Sequence, residues 1–150
     1  GTLTNLITLI LSVQVVIGAG IFSGVHYSAS LIMLPYYFIA GFLITYGFSL
    51  IVAMAFVYLR DLRHFMAILM QLWFYSTPVV YDESMIPEKF QWLLLANPVG
   101  SIFTGLHAIL VRGQWPQADH VLATGLWTTV IMGFALFVHQ KLAHELVERI

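Results

Sequence analysis

Cysteine is absent from the 150 residues, which excludes disulfide staples, thiolate metal sites and cysteine nucleophiles. Charge is almost as scarce: 9% of residues are charged and 60% are hydrophobic, against about 25% and roughly 45–50% in soluble domains. The first Lys, Arg, Asp or Glu is Arg60. An uncharged opening of that length cannot form the surface of a water-soluble fold, so a soluble enzyme is excluded. Six Lys plus Arg against seven Asp plus Glu leave a net charge of −1. There is neither a basic stripe for nucleic acid nor an acidic tail, and no nucleic-acid partner is expected. The start lacks the basic region and cleavage site of a signal peptide, and lacks an initiator Met, so the chain reads as the C-terminal part of a longer protein.

Catalytic patterns are missing as well. His144-Glu145-Leu146-Val147-Glu148 begins like a zinc-protease helix, but Glu148 stands where the second histidine belongs. The six histidines, at 26, 64, 107, 120, 139 and 144, are scattered, and there is no phosphate-binding Gly-Lys-Ser/Thr loop and no Gly-x-Ser-x-Gly elbow. No metal, no cofactor and no enzymatic activity are expected. If ATP powers this protein, the nucleotide sits on another chain.

What the sequence has instead is apolar length. About 20 apolar residues of helix cross a bilayer core, and four uncharged stretches qualify, at about 6–22, 31–59, 65–80 and 121–138. The second is long enough to tilt, or to bend near Pro35. A fifth stretch, about 90–111, is split by Asn97-Pro98 into two pieces that cannot span alone. Proline removes an amide donor and disfavours helix at the residue before it, so two short helices meeting at Asn97 are expected. Non-helical backbone at membrane depth is tolerated only under cover of protein or beside a wet cavity. The fold expected is all-α: four transmembrane helices plus a re-entrant helical hairpin between the last two, in one transmembrane domain over residues 1–150, with a polar tail at 139–150.

Charge placement gives an independent check. If the fifth stretch is re-entrant, Arg60, Arg63, Lys141 and Arg149 share one side against Lys89 and Arg112; if it spans, the division is three against three. Basic residues favour the cytoplasmic side, so the re-entrant topology fits better. It puts Arg60 to Arg63 and the tail in the cytoplasm, and residues 82–120 near the outer face.

Two clusters stand out on this frame. Arg60, Asp61 and Arg63, with His64, form the densest charge; on a helix Arg60, Arg63 and His64 share a face, which serves either as a topology signal with snorkelling arginines or as a contact carrying motion from a soluble partner. Trp73, Phe74, Tyr75, Tyr81, Phe90 and Trp92 gather toward the outer side, either as an interfacial aromatic belt or as a surface on which sugar rings stack. Gly20 and Gly24 have the small-xxx-small spacing of close helix approach, and Gly41, Gly47, Gly125 and Gly133 offer similar openings.

The order of short motifs resembles the permease subunits of ABC transporters that export polysaccharides or polyol phosphates, such as O-antigen, capsule and teichoic acid. The motifs are Tyr58-Leu59-Arg60-Asp61-Leu62, Ser76-Thr77-Pro78-Val79-Val80-Tyr81, Ile86-Pro87, Ala96-Asn97-Pro98 and Gly113-Gln114-Trp115-Pro116, closed by Phe137 and a tail through Lys141 and Glu145. The resemblance implies a homodimer of six-helix permeases in the cytoplasmic membrane, with two ABC ATPase subunits beneath it. It also implies re-entrant gate helices before the last span and a polysaccharide or lipid-linked glycan as substrate. On this likeness Arg60, Asp61 and Arg63 couple to the ATPase, and Pro78, Tyr81, Trp92, Asn97 and Pro98 line the gate or substrate path. His107 stands where the family often has arginine. A drug-exporting ABC permease is the nearest alternative. A membrane-embedded glycosyl or acyl transferase would need intramembrane acids or histidines, and the spans carry no Asp or Glu.

Overall fold

The computed structural model describes residues 2–24, 29–58, 62–77 and 85–147. Among them the regular structure is helical: α1 (Thr2–Phe22), a 3-10 turn (Ala29–Met33), α2 (Leu34–Tyr58), α3 (Leu62–Ser76), a 3-10 turn (Glu88–Phe90), α4 (Trp92–Ala96), α5 (Pro98–Leu110) and α6 (Ala118–Val147). Two stretches are long and apolar enough to cross a membrane, Ala29–Val57 and Ala118–Lys141, and the bent pair Glu88–Ala96 and Pro98–Leu110 would make a third if counted as one span. Phe65–Ser76 of α3 and Leu11–Phe22 of α1 are shorter apolar helices. Pro35 lies in the first turn of α2, directly after the 3-10 turn Ala29–Met33 and inside the apolar stretch Ala29–Val57.

The core is a three-helix contact in which α5 packs against both α2 and α6. Leu34, Tyr37 and Ile44 of α2, Ile102 and Ile109 of α5, and Ile131 of α6 form its buried centre. Hydrophobic burial gives no net drive between helices in lipid, so close backbone approach and interhelical hydrogen bonds decide such packing. Small residues supply the approach. A Cβ at Gly105 would overlap the Tyr37 ring, and one at Gly47 would come within 2.8 Å of Ile131 Cγ2. One at Gly125 would lie 3.1 Å from the Tyr36 hydroxyl, which donates to the Val121 carbonyl at 2.7 Å. Of the glycines with helix-packing spacing, Gly47 and Gly125 serve that role, whereas Gly24, Gly41 and Gly133 face open space. Gly24 instead ends α1 in the left-handed region, at φ 81°.

These contacts set chain direction. Tyr36 meets Val121 near the start of α2 and α6, and Gly47 meets Ile131 further along both, so the two helices run parallel. α3 runs the opposite way to α2, because Phe48, ten residues before the end of α2, packs edge-on against Trp73, near the end of α3. α5 runs against α6: its start lies beside Trp127 and Ile131, and Ser101 pairs with Thr124.

Gly105→Ala should therefore destabilise the protein by about 1–3 kcal/mol, the usual cost of overpacking. Gly133→Ala, with nothing within 4 Å, should be neutral or stabilising by up to about 1 kcal/mol through helix propensity. Thermal unfolding of the two purified variants in detergent, side by side, measures the contrast.

Candidate functional site

The helical path breaks at Asn97, where α4 and α5 meet at 109°. Asn97 has φ −95° and ψ 116°, the extended geometry forced on a residue preceding proline. Pro98 opens α5 at a position where its missing amide leaves no bond unmade. The turn is tight at Gly100: a Cβ there would sit 3.0 Å from the Leu94 carbonyl oxygen and 3.1 Å from Asn97 Cβ, so its neighbours would have to give by a few tenths of an ångström.

A break frees backbone groups; the Asn97 side chain and α6 satisfy them, and α3 holds the Asn97 side chain in place. Asn97 Oδ1 accepts from the Val99 amide at 3.0 Å, capping α5, and from the Trp73 indole Nε1 of α3 at 3.0 Å. Asn97 Nδ2 donates to Thr77 Oγ1 at 3.1 Å. Thr77 Oγ1 in turn donates to the Trp73 carbonyl at 2.9 Å, and Thr77 is 2% exposed. On the other side, Trp127 Nε1 of α6 donates to the freed Leu95 carbonyl at 2.8 Å. Beneath the bend, Thr124 Oγ1 donates to Ser101 Oγ at 3.1 Å, and Ser101 Oγ to the Pro98 carbonyl at 3.1 Å. The carboxamide orientation follows from this network: flipped, it would set its N–H groups against two other donors.

Two apolar cavities flank the break. One, about 680 Å³, is walled by Phe48, Trp73, Asn97, Trp127 and Phe134; the other, about 490 Å³, by Phe48, Met70, Trp73, Thr77, Val99 and Phe103. Phe48 and Trp73 line both, with their rings edge-to-face at 5.1 Å. Such walls suit packing and passage rather than acid–base chemistry. Among the described residues, no group of three His, Asp or Glu side chains gathers as a metal site requires.

Of the residues singled out in the sequence, Asn97 and Pro98 form the break itself. Trp92 opens α4 with its side chain 60% exposed. Arg63 falls in the first turn of α3, while Arg60, Asp61, Pro78 and Tyr81 lie outside the described residues. Within the aromatic cluster the structure separates Trp73, committed to Asn97, from Phe74, Tyr75 and Phe90, which are exposed. Sequence reasoning missed Trp127 and the Ser101–Thr124 pair. Trp127 carried a usable signal: an indole donor inside a span needs an acceptor, and a broken helix is where a free carbonyl occurs.

Interhelical hydrogen bonds in membranes average about 0.6 kcal/mol and an N-cap contributes about 1 kcal/mol, so the Asn97 side chain contributes about 2 kcal/mol. Asn97→Leu should lose all of it, whereas Asn97→Ser keeps the cap but falls short of α3 and should lose about half. The ordering wild type, Ser, Leu in thermal unfolding checks this.

The chain is similar along most of its length to proteins described as "O-antigen export system permease protein RfbA". Against the one from Myxococcus xanthus it is 30% identical over 149 residues, covering 98% of this chain and 57% of that protein. Against two from Klebsiella pneumoniae it is 31% identical over 117 residues, covering 77% of this chain and 44% of each. The chain thus spans about half the length of the curated relatives it matches. No family model matches it, and no solved structure does.

Proposed function

The chain is a homologue of O-antigen export system permease proteins, and on that premise we propose that it forms the C-terminal membrane part of an ATP-driven exporter permease moving polysaccharide or lipid-linked glycan outward. The observation that carries this reading is 30% identity over 98% of the chain to one such permease. The protein acts as a homodimer in the cytoplasmic membrane. It has no catalytic role and no cofactor of its own, because ATP is bound and hydrolysed by separate ABC ATPase subunits.

In this reading the chain crosses four times, at about 6–22, 31–59, 65–80 and 121–138, and residues 90–111 dip in and return. Support comes from chain direction. With α3 antiparallel to α2, a spanning α4–α5 pair would bring α6 back antiparallel to α2; a re-entrant pair leaves α6 parallel to α2, as the Tyr36–Val121 and Gly47–Ile131 contacts have it. The 109° bend and the return of α5 toward the start of α6 are consistent with the same path. The charge bias then puts Arg60, Arg63 and the C-terminus in the cytoplasm. Asn97 and Pro98 sit at the inner end of the gate, with Pro78, Tyr81 and Trp92 nearer the outer side of the path. Arg60, Asp61 and Arg63 meet the ATPase.

Deleting the gene should abolish surface polysaccharide and leave its lipid-linked precursor at the inner face, quantified with radiolabelled sugar; unchanged surface polysaccharide would overturn the export reading. For topology, single cysteines replacing Gln117 and Glu145 in the full-length protein, with any other cysteines removed, should react with an impermeant thiol reagent in intact cells at 117 and not at 145. The double variant Arg60→Gln, Arg63→Gln should insert normally but export less polymer per ATP hydrolysed, by several-fold, in reconstituted vesicles.

A further inference from the structure

Trp73, Thr77 and Asn97 close a ring of hydrogen bonds between α3 and the break. The Trp73 indole donates to Asn97 Oδ1, Asn97 Nδ2 donates to Thr77 Oγ1, and Thr77 Oγ1 donates back to the Trp73 carbonyl. Only two of these bonds cross from α3 to the α4–α5 bend. Capping of α5 does not require either, since it uses the separate bond from the Val99 amide. The break is therefore tied to α3 more firmly than its own backbone demands.

The ring also fixes one side chain in a special place. Trp73, together with Phe48, forms the wall shared by the two cavities on either side of the break. Its ring has three constraints: the edge-on contact with Phe48, the bond to Asn97 and its own helix. If the Asn97 bond is lost, only the Phe48 contact and its own helix still hold the indole between the two cavities.

We propose that this ring is a latch: it holds Trp73 as a closed partition and clamps the re-entrant break against α3, so the path opens only when α3 and the break part. Trp73 and Thr77 are positioning residues acting through Asn97. The inference rests on the reading of α4–α5 as a re-entrant gate in an exporter, and it adds what keeps that gate shut.

The test uses the full-length protein in lipid vesicles loaded with carboxyfluorescein, without nucleotide. Trp73→Phe combined with Thr77→Val keeps an aromatic ring at 73 and the side-chain shape at 77 while removing both crossing bonds. It should raise passive dye efflux about tenfold, the population shift expected for losing two such bonds. Thr77→Ser, which keeps the hydroxyl, should leak like wild type. So should Ser76→Ala, whose hydroxyl, among the described residues, bonds back to the Leu72 carbonyl of its own helix. If the double variant misfolds, Thr77→Val alone against Thr77→Ser carries the comparison. Wild-type efflux from well-folded Thr77→Val and double variants, or an equal leak from Ser76→Ala, overturns the latch. That result leaves the export reading standing if gene deletion still abolishes surface polysaccharide. Surface polysaccharide that survives deletion overturns the export reading, whatever the dye shows.

Discussion

A polypeptide inside a bilayer has no water to satisfy a freed amide or carbonyl, and this one constraint organises the packing around Asn97. Proline at 98 guarantees a break, and the break must then be covered from within the protein. The cover comes from three directions: the Asn97 carboxamide on the Val99 amide, the Trp127 indole on the Leu95 carbonyl, and Trp73 and Thr77 on the carboxamide itself. The donors onto Asn97 Oδ1 come from α5 and α3, the donor onto Leu95 comes from α6, and Asn97 Nδ2 donates back to Thr77 at the end of α3. The break is therefore the point where α3, α5 and α6 are held in register with one another.

The rest of the core serves that arrangement by bringing backbones close. Tyr37 lies over Gly105, bringing α5 against α2, and Ile131 lies against Gly47, bringing α6 directly against α2. Because α2 and α6 run the same way, their macrodipoles add rather than cancel, an unfavourable pairing of parallel dipoles in a low-dielectric medium. α5 runs against α6 and packs alongside both, so its dipole partly offsets theirs. On the proposed re-entrant path, the half-span therefore also offsets part of the dipole of the helices it touches.

Much of this was legible in the sequence because the bilayer simplifies the code. Uncharged length marked α2 and α6, and Asn97-Pro98 marked the bend to the residue, since proline's geometry acts locally. What escaped was relational. Nothing in the spacing says that Trp127 rather than another aromatic reaches Leu95, or that Trp73 turns inward while Phe74 and Tyr75 face out. Among the glycines, Gly47 and Gly105 make close contacts while Gly41 and Gly133 make none. The small-residue pattern shows where helices are able to approach, and only their actual neighbours decide where they do. The aromatic cluster that reads as one belt is divided by a single acceptor, Asn97 Oδ1.

The bond from Trp127 to Leu95 joins residues 32 positions apart, and the indole is the later of the two to be made. At about 5–20 residues per second, a ribosome adds that length in roughly 2–6 seconds. Because the chain emerges in the order it is made, the Leu95 carbonyl reaches the membrane that much earlier than the Trp127 indole. Until α6 arrives, α4 and α5 are better housed in water, at the headgroup level or within the insertion machinery than in lipid. On the proposed re-entrant path, the half-span would settle only once α6, which follows it in the chain, supplies the Trp127 donor.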